Sequence, residues 1–141
     1  MARNFKKLDI YKDAYQLALD MYKLTDKFPA HEQNNLISQI RRAAVSVPVN
    51  IAEGSAKRSP KEFLNFLNIA YGSSQEIEVL IELSKDIGYI DRNNCEDIDE
   101  QIDKVNRKLF AFISYNERAE KGKGFFKRIK KKVKEESKFN K

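Results

Sequence analysis

Apolar residues recur along the chain at spacings of three and four, which is the period of an α-helix rather than of a β-strand. The first such segment spans about Leu8 to Lys27 and ends at Phe28-Pro29, because a residue before proline is disfavoured in the α region. Its apolar arc covers over half of the circumference, roughly twice the 100° stripe of an ordinary surface helix. The surplus predicts that another subunit covers part of this helix. The arc contains Ile10, Tyr11, Ala14, Tyr15, Leu17, Ala18, Met21, Tyr22, Leu24 and Thr25.

The second helical segment spans about Glu32 to Lys57 and contains a proline in its middle. Pro48 removes one backbone donor and crowds the carbonyl of Ala44, which costs roughly 3 kcal/mol unless the helix bends. The apolar period resumes in phase at Ile51, so we predict one continuous, kinked helix. Its core positions are Leu36, Ile40, Ala43, Ala44, Val47 and Ile51.

The third helix has the clearest end signals in the chain. Ser59 is a suitable N-cap, Pro60 stands at the first helical position, and Glu62 completes a capping box. Gly88 is a typical C-terminal stop. The pattern predicts a helix from about Pro60 to Ile87.

The fourth helix is predicted from near Asp91, with Asn93 as a rival cap, to about Glu117. Its apolar residues repeat every three or four positions, as in a bundle seam, at Ile98, Ile102, Val105, Leu109 and Phe112. The connections between the four segments are short, which favours antiparallel neighbours. The fold class predicted is all-α, an up-down-up-down four-helix bundle.

The charge changes after the fourth segment. Residues 119–141 carry nine Lys and one Arg against three Glu, a net charge of +7, whereas residues 1–118 carry 17 bases and 18 acids. We therefore divide the chain into a bundle domain, 1–118, and a basic tail, 119–141, with Gly122 and Gly124 as a hinge. The segment from Phe125 to Phe139 is typical of a flexible or amphipathic tail. Its candidate nucleic-acid contacts are Lys127, Arg128, Lys130, Lys131, Lys132 and Lys134.

Length and composition fit a single domain, and apolar and charged residues make up 41% and 34% of 141 positions. No apolar run is long enough to span a membrane, and the basic start Met1-Ala2-Arg3 is followed by no export signal. Cys95 is the only cysteine, so no disulfide forms within one chain. We expect a cytoplasmic protein.

The scarcity of histidine and cysteine residues argues against an enzyme. His31 is the only histidine and stands in an inter-helix loop, so neither a nucleophile–base pair nor a Cys/His metal site with Cys95 has enough partners. No Gly-rich phosphate-binding loop occurs. We predict no catalytic residues, no metal and no cofactor.

A polar strip follows the flank of the second helix at spacings of three or four, at Gln39, Arg42, Ser46, Asn50 and Glu53. Arg41 points to another side of this helix, which otherwise holds Val45, Pro48 and Ala52. One interpretation is structural: the strip residues satisfy one another and the carbonyl freed by Pro48. The other is an Arg41–Arg42 pair presented to phosphate. The acid within the strip favours the structural interpretation.

The segment Gln39 to Gly54, QIRRAAVSVPVNIAEG, closely resembles the motif of the four-helix bundle family of the 23S ribosomal RNA intervening sequence. Supporting similarities lie at 22–29, 63–76 and 88–90, so the resemblance covers roughly residues 5 to 117. Within this motif, we predict a structural role for Gln39, Ser46, Pro48, Asn50, Glu53 and Gly54.

The resemblance implies an antiparallel bundle that assembles into a ring, commonly a homopentamer, and a link to RNA. It implies no catalytic residues. A distantly similar protein is the accessory variability determinant of diversity-generating retroelements, which binds a reverse transcriptase and nucleic acid. The tail after Glu117 departs from the family pattern, so the resemblance implies nothing about it.

Two functional hypotheses follow. The first is a non-enzymatic homo-oligomer, pentameric if the resemblance holds, that binds RNA or DNA electrostatically through its tails and arginine pair. The alternative is a scaffold or accessory subunit for a protein partner such as a reverse transcriptase, because the body is near neutral. For the tail alone, a disordered solubilising extension is the plain alternative, and we do not expect it to contact membranes.

Overall fold

The computed structural model describes residues 4–139, except for the side chain of Asn94. Residues 1–3, at the start of the predicted bundle domain, and residues 140–141, at the end of the predicted basic tail, lie outside the described residues. The α-helices are α1 (Asp9–Thr25), α2 (Leu36–Ser55), α3 (Pro60–Ile87) and α4 (Glu96–Phe139). Short 3₁₀ turns occupy Phe5–Lys7, Ala30–Glu32 and Arg92–Asn94, and no strand occurs in the described part of the chain. The predicted all-α, four-helix fold is confirmed.

Helix α3 begins and ends where its end signals predict. The Ser59 hydroxyl accepts a hydrogen bond from the Glu62 backbone N–H, and Pro60 is the first helical residue. Gly88 closes the helix with a φ of 97°, a left-handed conformation that a residue with a Cβ adopts only with strain. Local chemistry therefore determines both ends of this helix.

Helix α2 continues through Pro48 as one element, as its in-phase period predicts. It starts at Leu36 rather than near Glu32, because residues 30–32 form a 3₁₀ turn. The Glu32 carboxylate instead accepts a hydrogen bond from the Leu36 backbone N–H at 3.2 Å. That bond satisfies one of the donors that the start of a helix leaves unpaired.

The core lies between the four helices and includes most of the predicted apolar positions of each, whereas Tyr15 and Tyr22 of α1 are exposed. Met21, Ile40, Ile51, Leu67 and Leu109 are among its fully buried side chains. Each comes from a stripe whose members recur every three or four residues.

Contacts between α3 and α4 pair early residues of one helix with late residues of the other. The Phe63 and Phe112 rings are 5.8 Å apart, and Lys85 contacts Asp99. Between α1 and α4, Asp13 pairs with Lys108. An antiparallel arrangement produces pairs of this kind.

Gly54 marks the closest approach of α2 to α3. A Cβ at this position would lie 2.7 Å from Phe66 Cβ and 3.0 Å from Phe63 Cδ2, closer than carbon atoms pack. The absence of a side chain therefore lets the two helices touch.

Helix α4 differs from its prediction at both ends. It begins at Glu96, because Asp91 caps the preceding 3₁₀ turn by accepting from the Asn93 N–H. It continues past Glu117 and through Gly122 and Gly124 to Phe139, so the expected hinge is wrong. Each glycine costs about 1 kcal/mol in a helix, but extending an existing helix carries no nucleation cost and the neighbouring Lys and Glu favour it.

We call residues 114–139 the α4 extension. Ile113 is the last buried residue of the helix, and every described side chain from Phe125 onward is exposed. At 1.5 Å per residue, the extension is about 39 Å long. The predicted tail is thus a helix standing clear of the bundle, and the division at residue 118 stays a prediction.

Candidate functional site

An apolar groove of about 440 Å³ lies between α1 and α2 on the outside of the bundle. It runs along the side of α1 whose surplus apolar surface the sequence predicts. Tyr15, Tyr22 and Val49 are 50%, 43% and 44% exposed there. We call this the α1–α2 groove; its lining is Phe5, Tyr11, Tyr15, Ala18, Leu19, Tyr22, Val45, Pro48, Val49 and Ala52.

Arg41 binds the end of α1 at the edge of this groove. Its Nε donates to Thr25 Oγ1 at 2.9 Å, and its Nη2 donates to the Tyr22 carbonyl at 3.3 Å and to Asp26 Oδ1 at 2.8 Å. The guanidinium also lies 4.6 Å from the centroid of the Tyr22 ring. The positive charge stabilises the carbonyl end of α1, where the helix dipole is negative. Arg41 is therefore engaged within the subunit.

The middle of the polar strip joins α2 to α3. Asn50 Nδ2 donates to the Ser46 carbonyl at 2.8 Å and to Ser46 Oγ at 2.9 Å. Ser46 Oγ and Ser73 Oγ are 2.8 Å apart and share a hydrogen bond. These contacts agree with the structural interpretation, although Asn50 bonds the Ser46 carbonyl and not that of Ala44.

The two charged residues of the strip stand apart from that network. Arg42 and Glu53 are exposed, and neither side chain bonds another residue in the range 4–139. Eleven positions along α2 separate them by about 16 Å, too far to pair within one subunit. Arg42 is therefore unpaired within residues 4–139, and the Arg41–Arg42 phosphate pair stays a prediction.

The α4 extension holds the densest group of unpaired bases in the described chain. Of the six candidate residues, only Lys131 faces a carboxylate, Glu135, and at 4.0 Å. The others make no ion pair within residues 4–139, and each is exposed. At 100° per residue, the bases cover an arc of about 200°. The exposed unpaired members are Lys127, Arg128, Lys130, Lys132 and Lys134.

The two residues with reactive side chains have structural partners. His31 is exposed, and its Nε2 lies 3.3 Å from the Tyr89 hydroxyl. Cys95 is buried, and its thiol donates to the Arg92 carbonyl at 3.0 Å. Among residues 4–139, no group of three His, Cys, Asp or Glu side chains is placed to hold a metal ion.

A buried base that sequence reasoning missed ties α3 to α4. Lys85 is 3% exposed at its side chain, and its Nζ donates to Asp99 Oδ1 at 2.6 Å and to Glu82 Oε1 at 3.0 Å. Burial alone would lower the pKa of Lys85, but the hydrogen bonds from the ammonium to Asp99 and Glu82 outweigh it and raise that pKa. The sequence did offer a signal for this buried base, because Lys85 follows Ile81 by four positions and so lies on the buried face of α3.

The described residues define a four-helix bundle with an apolar groove on its outside and a basic helical extension. No helix among them is long and apolar enough to cross a membrane. The model of the family described as 23S rRNA-intervening sequence protein matches residues 6–111. This chain belongs to that family, as the motif in α2 predicts.

A crystal structure of a similar protein comes from Bacteroides thetaiotaomicron VPI-5482 and is described as a protein of unknown function from the S23 ribosomal protein family. It is 28% identical, has a TM-score of 0.65, and the match covers 74% of this chain and 97% of that one. A comparison with curated proteins gives no match. The family match ends at residue 111, so the α4 extension lies outside it.

Proposed function

We propose that this protein is a non-enzymatic homo-oligomer that binds RNA or DNA electrostatically through its α4 extensions. The observation that carries the proposal is the exposed arc of bases on the extension, most of them without a carboxylate partner. Bases of this kind neutralise phosphates without reading base edges, so we expect little sequence preference.

Self-association supports this activity by bringing several extensions together. The α1–α2 groove has the apolar character of a subunit interface, and a second copy covering it would bury Tyr15, Leu19 and Val49. The resemblance in α2 suggests a pentameric ring. Several extensions on one particle make weak phosphate contacts additive. Light scattering should then give a mass several times 16.4 kDa.

Fluorescence anisotropy with matched single-stranded RNA and DNA tests the binding. We expect Lys130→Gln/Lys134→Gln to weaken binding and to reduce the slope of log affinity against log salt by about 1.4, since each lost phosphate contact removes about 0.7. The control Lys12→Gln/Lys23→Gln removes the same charge from exposed positions on α1. A chain ending at Glu117, which keeps every residue that is buried among residues 4–139, should lose binding.

Equal weakening in the tail and control variants would show that only net charge matters. Undiminished binding by the shortened chain would overturn the proposal for the extension.

A scaffold or accessory role for a protein partner is the second candidate. It is favoured by the bundle domain, where 17 bases and 18 acids leave little attraction for phosphate. It predicts that a partner is recovered in fixed stoichiometry from nuclease-treated lysate of the native host.

A further inference from the structure

The α4 extension carries an apolar side that phosphate binding does not use. Phe125, Ile129 and Val133 are spaced four apart, so they form a ridge along one side of the helix, and Phe126 lies beside it. Their exposed fractions are 59%, 42%, 59% and 65%. No part of the bundle covers this extension stripe, which consists of Phe125, Phe126, Ile129 and Val133.

A second uncovered apolar ridge lies on the outer side of α3. Val79, Leu83 and Ile87 are also spaced four apart and are 66%, 46% and 49% exposed. We call these three residues the α3 stripe. Over eight positions, each stripe is about 12 Å long, and ridges spaced by four residues pack into each other's grooves.

The charges around the two stripes are opposite. Glu78, Glu82 and Asp86 each precede a member of the α3 stripe by one position and are exposed. The whole segment 76–103 holds ten acids and two bases, a net charge of −8. Residues 119–139 hold nine bases and three acids, a net charge of +6.

These charges also decide against a coil of extensions from several copies. Lys130 and Lys132 flank the extension stripe on its two sides, so parallel extensions would place like charges next to each other. The acidic rim of α3, formed by Glu78, Glu82 and Asp86, instead offers opposite charge along one side of the α3 stripe. Glu82 and Asp86 also pair with Lys85 and Arg92 of their own chain, whereas Glu78 makes no ion pair within residues 4–139.

The extension cannot reach the α3 stripe of its own chain. Phe63 and Phe112 are in contact, so they mark one level of the bundle. If the chain turned back at Gly124, the returning segment would start about 18 Å from that level in one direction along the bundle. Val79 lies about 24 Å from the same level in the opposite direction. Residues 125–139 span only about 22 Å as a helix, far short of the sum of these two distances.

We propose that the extension stripe of one copy packs on the α3 stripe of a second copy, with the extension's bases against the acidic rim. The proposal rests on the self-association described above and names a surface for it. The two patches differ, so the contact is heterologous and repeats from copy to copy, and the rotation between neighbouring copies decides whether a ring closes. Most of the basic arc stays free for phosphate.

Mixed crosslinking of the full chain tests this contact. Ile129→Cys and Leu83→Cys proteins are purified with different tags, mixed, and treated with a short bis-maleimide, while the buried Cys95 remains as background. We expect a product that carries both tags, and little product from either protein alone. Efficient self-crosslinking of the Ile129→Cys protein would overturn the proposal in favour of paired extensions.

Two further variants of the Leu83→Cys protein guard against an accidental crosslink. Val79→Lys/Ile87→Lys should lower the mixed product about tenfold, because it removes apolar contact and adds repulsion. Gln33→Lys, in an exposed loop, should leave it unchanged. If light scattering shows an oligomer but no mixed product forms, this contact is refuted while self-association stands.

Discussion

At the scale of single residues, several positions of the motif in α2 make packing contacts between helices. Ser46 and Asn50 join α2 to α3 through Ser73, and Gly54 brings the two helices into contact. Arg41, one of the two arginines predicted to contact phosphate, holds the end of α1. The motif therefore specifies how the first three helices meet.

Gly54 and Gly72 provide a matched pair for testing this. Gly54→Ala should lower the free energy of unfolding by about 1–3 kcal/mol, because its Cβ would overlap Phe66. Gly72→Ala should raise it by about 0.5–1 kcal/mol, since a Cβ there meets no atom within 4 Å and alanine favours the helix. Urea unfolding of both variants measures the difference. Equal effects would contradict the close approach at Gly54.

Glu32 makes the stability depend on pH. Its carboxylate accepts hydrogen bonds from the Leu36 backbone N–H and from the Tyr89 hydroxyl, and these hold its pKa below the ordinary value despite partial burial. A lowered pKa gives stability that is complete above about pH 4.3 and is lost as the pH falls through the folded-state pKa.

Glu32→Gln should therefore flatten the loss of stability in urea unfolding below about pH 4.3. Glu53→Gln removes an exposed α2 carboxylate that accepts no hydrogen bond from the described residues, so it should leave the curve unchanged. An unaltered curve for Glu32→Gln would refute the role of this carboxylate.

At the scale of helices, local signals predict α3 and fail for α4. Ser59, Pro60 and Gly88 each act within one turn, so the sequence is sufficient to place both ends of α3. The end of α4 depends on whether the free energy gained by extending the helix outweighs the cost of Gly122 and Gly124 within it. No single residue in the sequence indicates which of the two is larger. Likewise, the bond of Arg41 to Thr25 joins two helices, so the spacing within α2 cannot reveal it.

Gly122→Ala/Gly124→Ala should strengthen the α4 extension without affecting the bundle. Each substitution favours the helix by about 1 kcal/mol, and neither added Cβ meets another atom within 4 Å. Hydrogen exchange of the amides at 125–139 should slow severalfold, while the amides of α3 keep their rates. Unchanged exchange at 125–139 would indicate that the glycines do not limit this helix.

At the scale of the whole molecule, charge is strongly segregated along the chain. Segment 76–103 has a net charge of −8, and residues 119–139 have +6. Copies that approach one another are therefore oriented by their own fields, and this effect weakens with salt.

Val49→Asp tests whether the α1–α2 groove is a subunit interface. A carboxylate there would be buried without a partner on assembly, so light scattering should show a mass well below that of the parent protein. Phe110→Asp, at a 60% exposed position on α4 outside the groove, should keep the parent mass. An oligomer of unchanged mass in Val49→Asp would exclude the groove.

The continuity of α4 fixes the rotational phase of the extension relative to the bundle. One alanine inserted after Ser114 would lengthen the helix by only about 1.5 Å but turn everything beyond it by about 100°. The bases and the extension stripe would then face new directions while their composition stayed the same. Four inserted residues would nearly restore the phase, so function should vary periodically with insertion length.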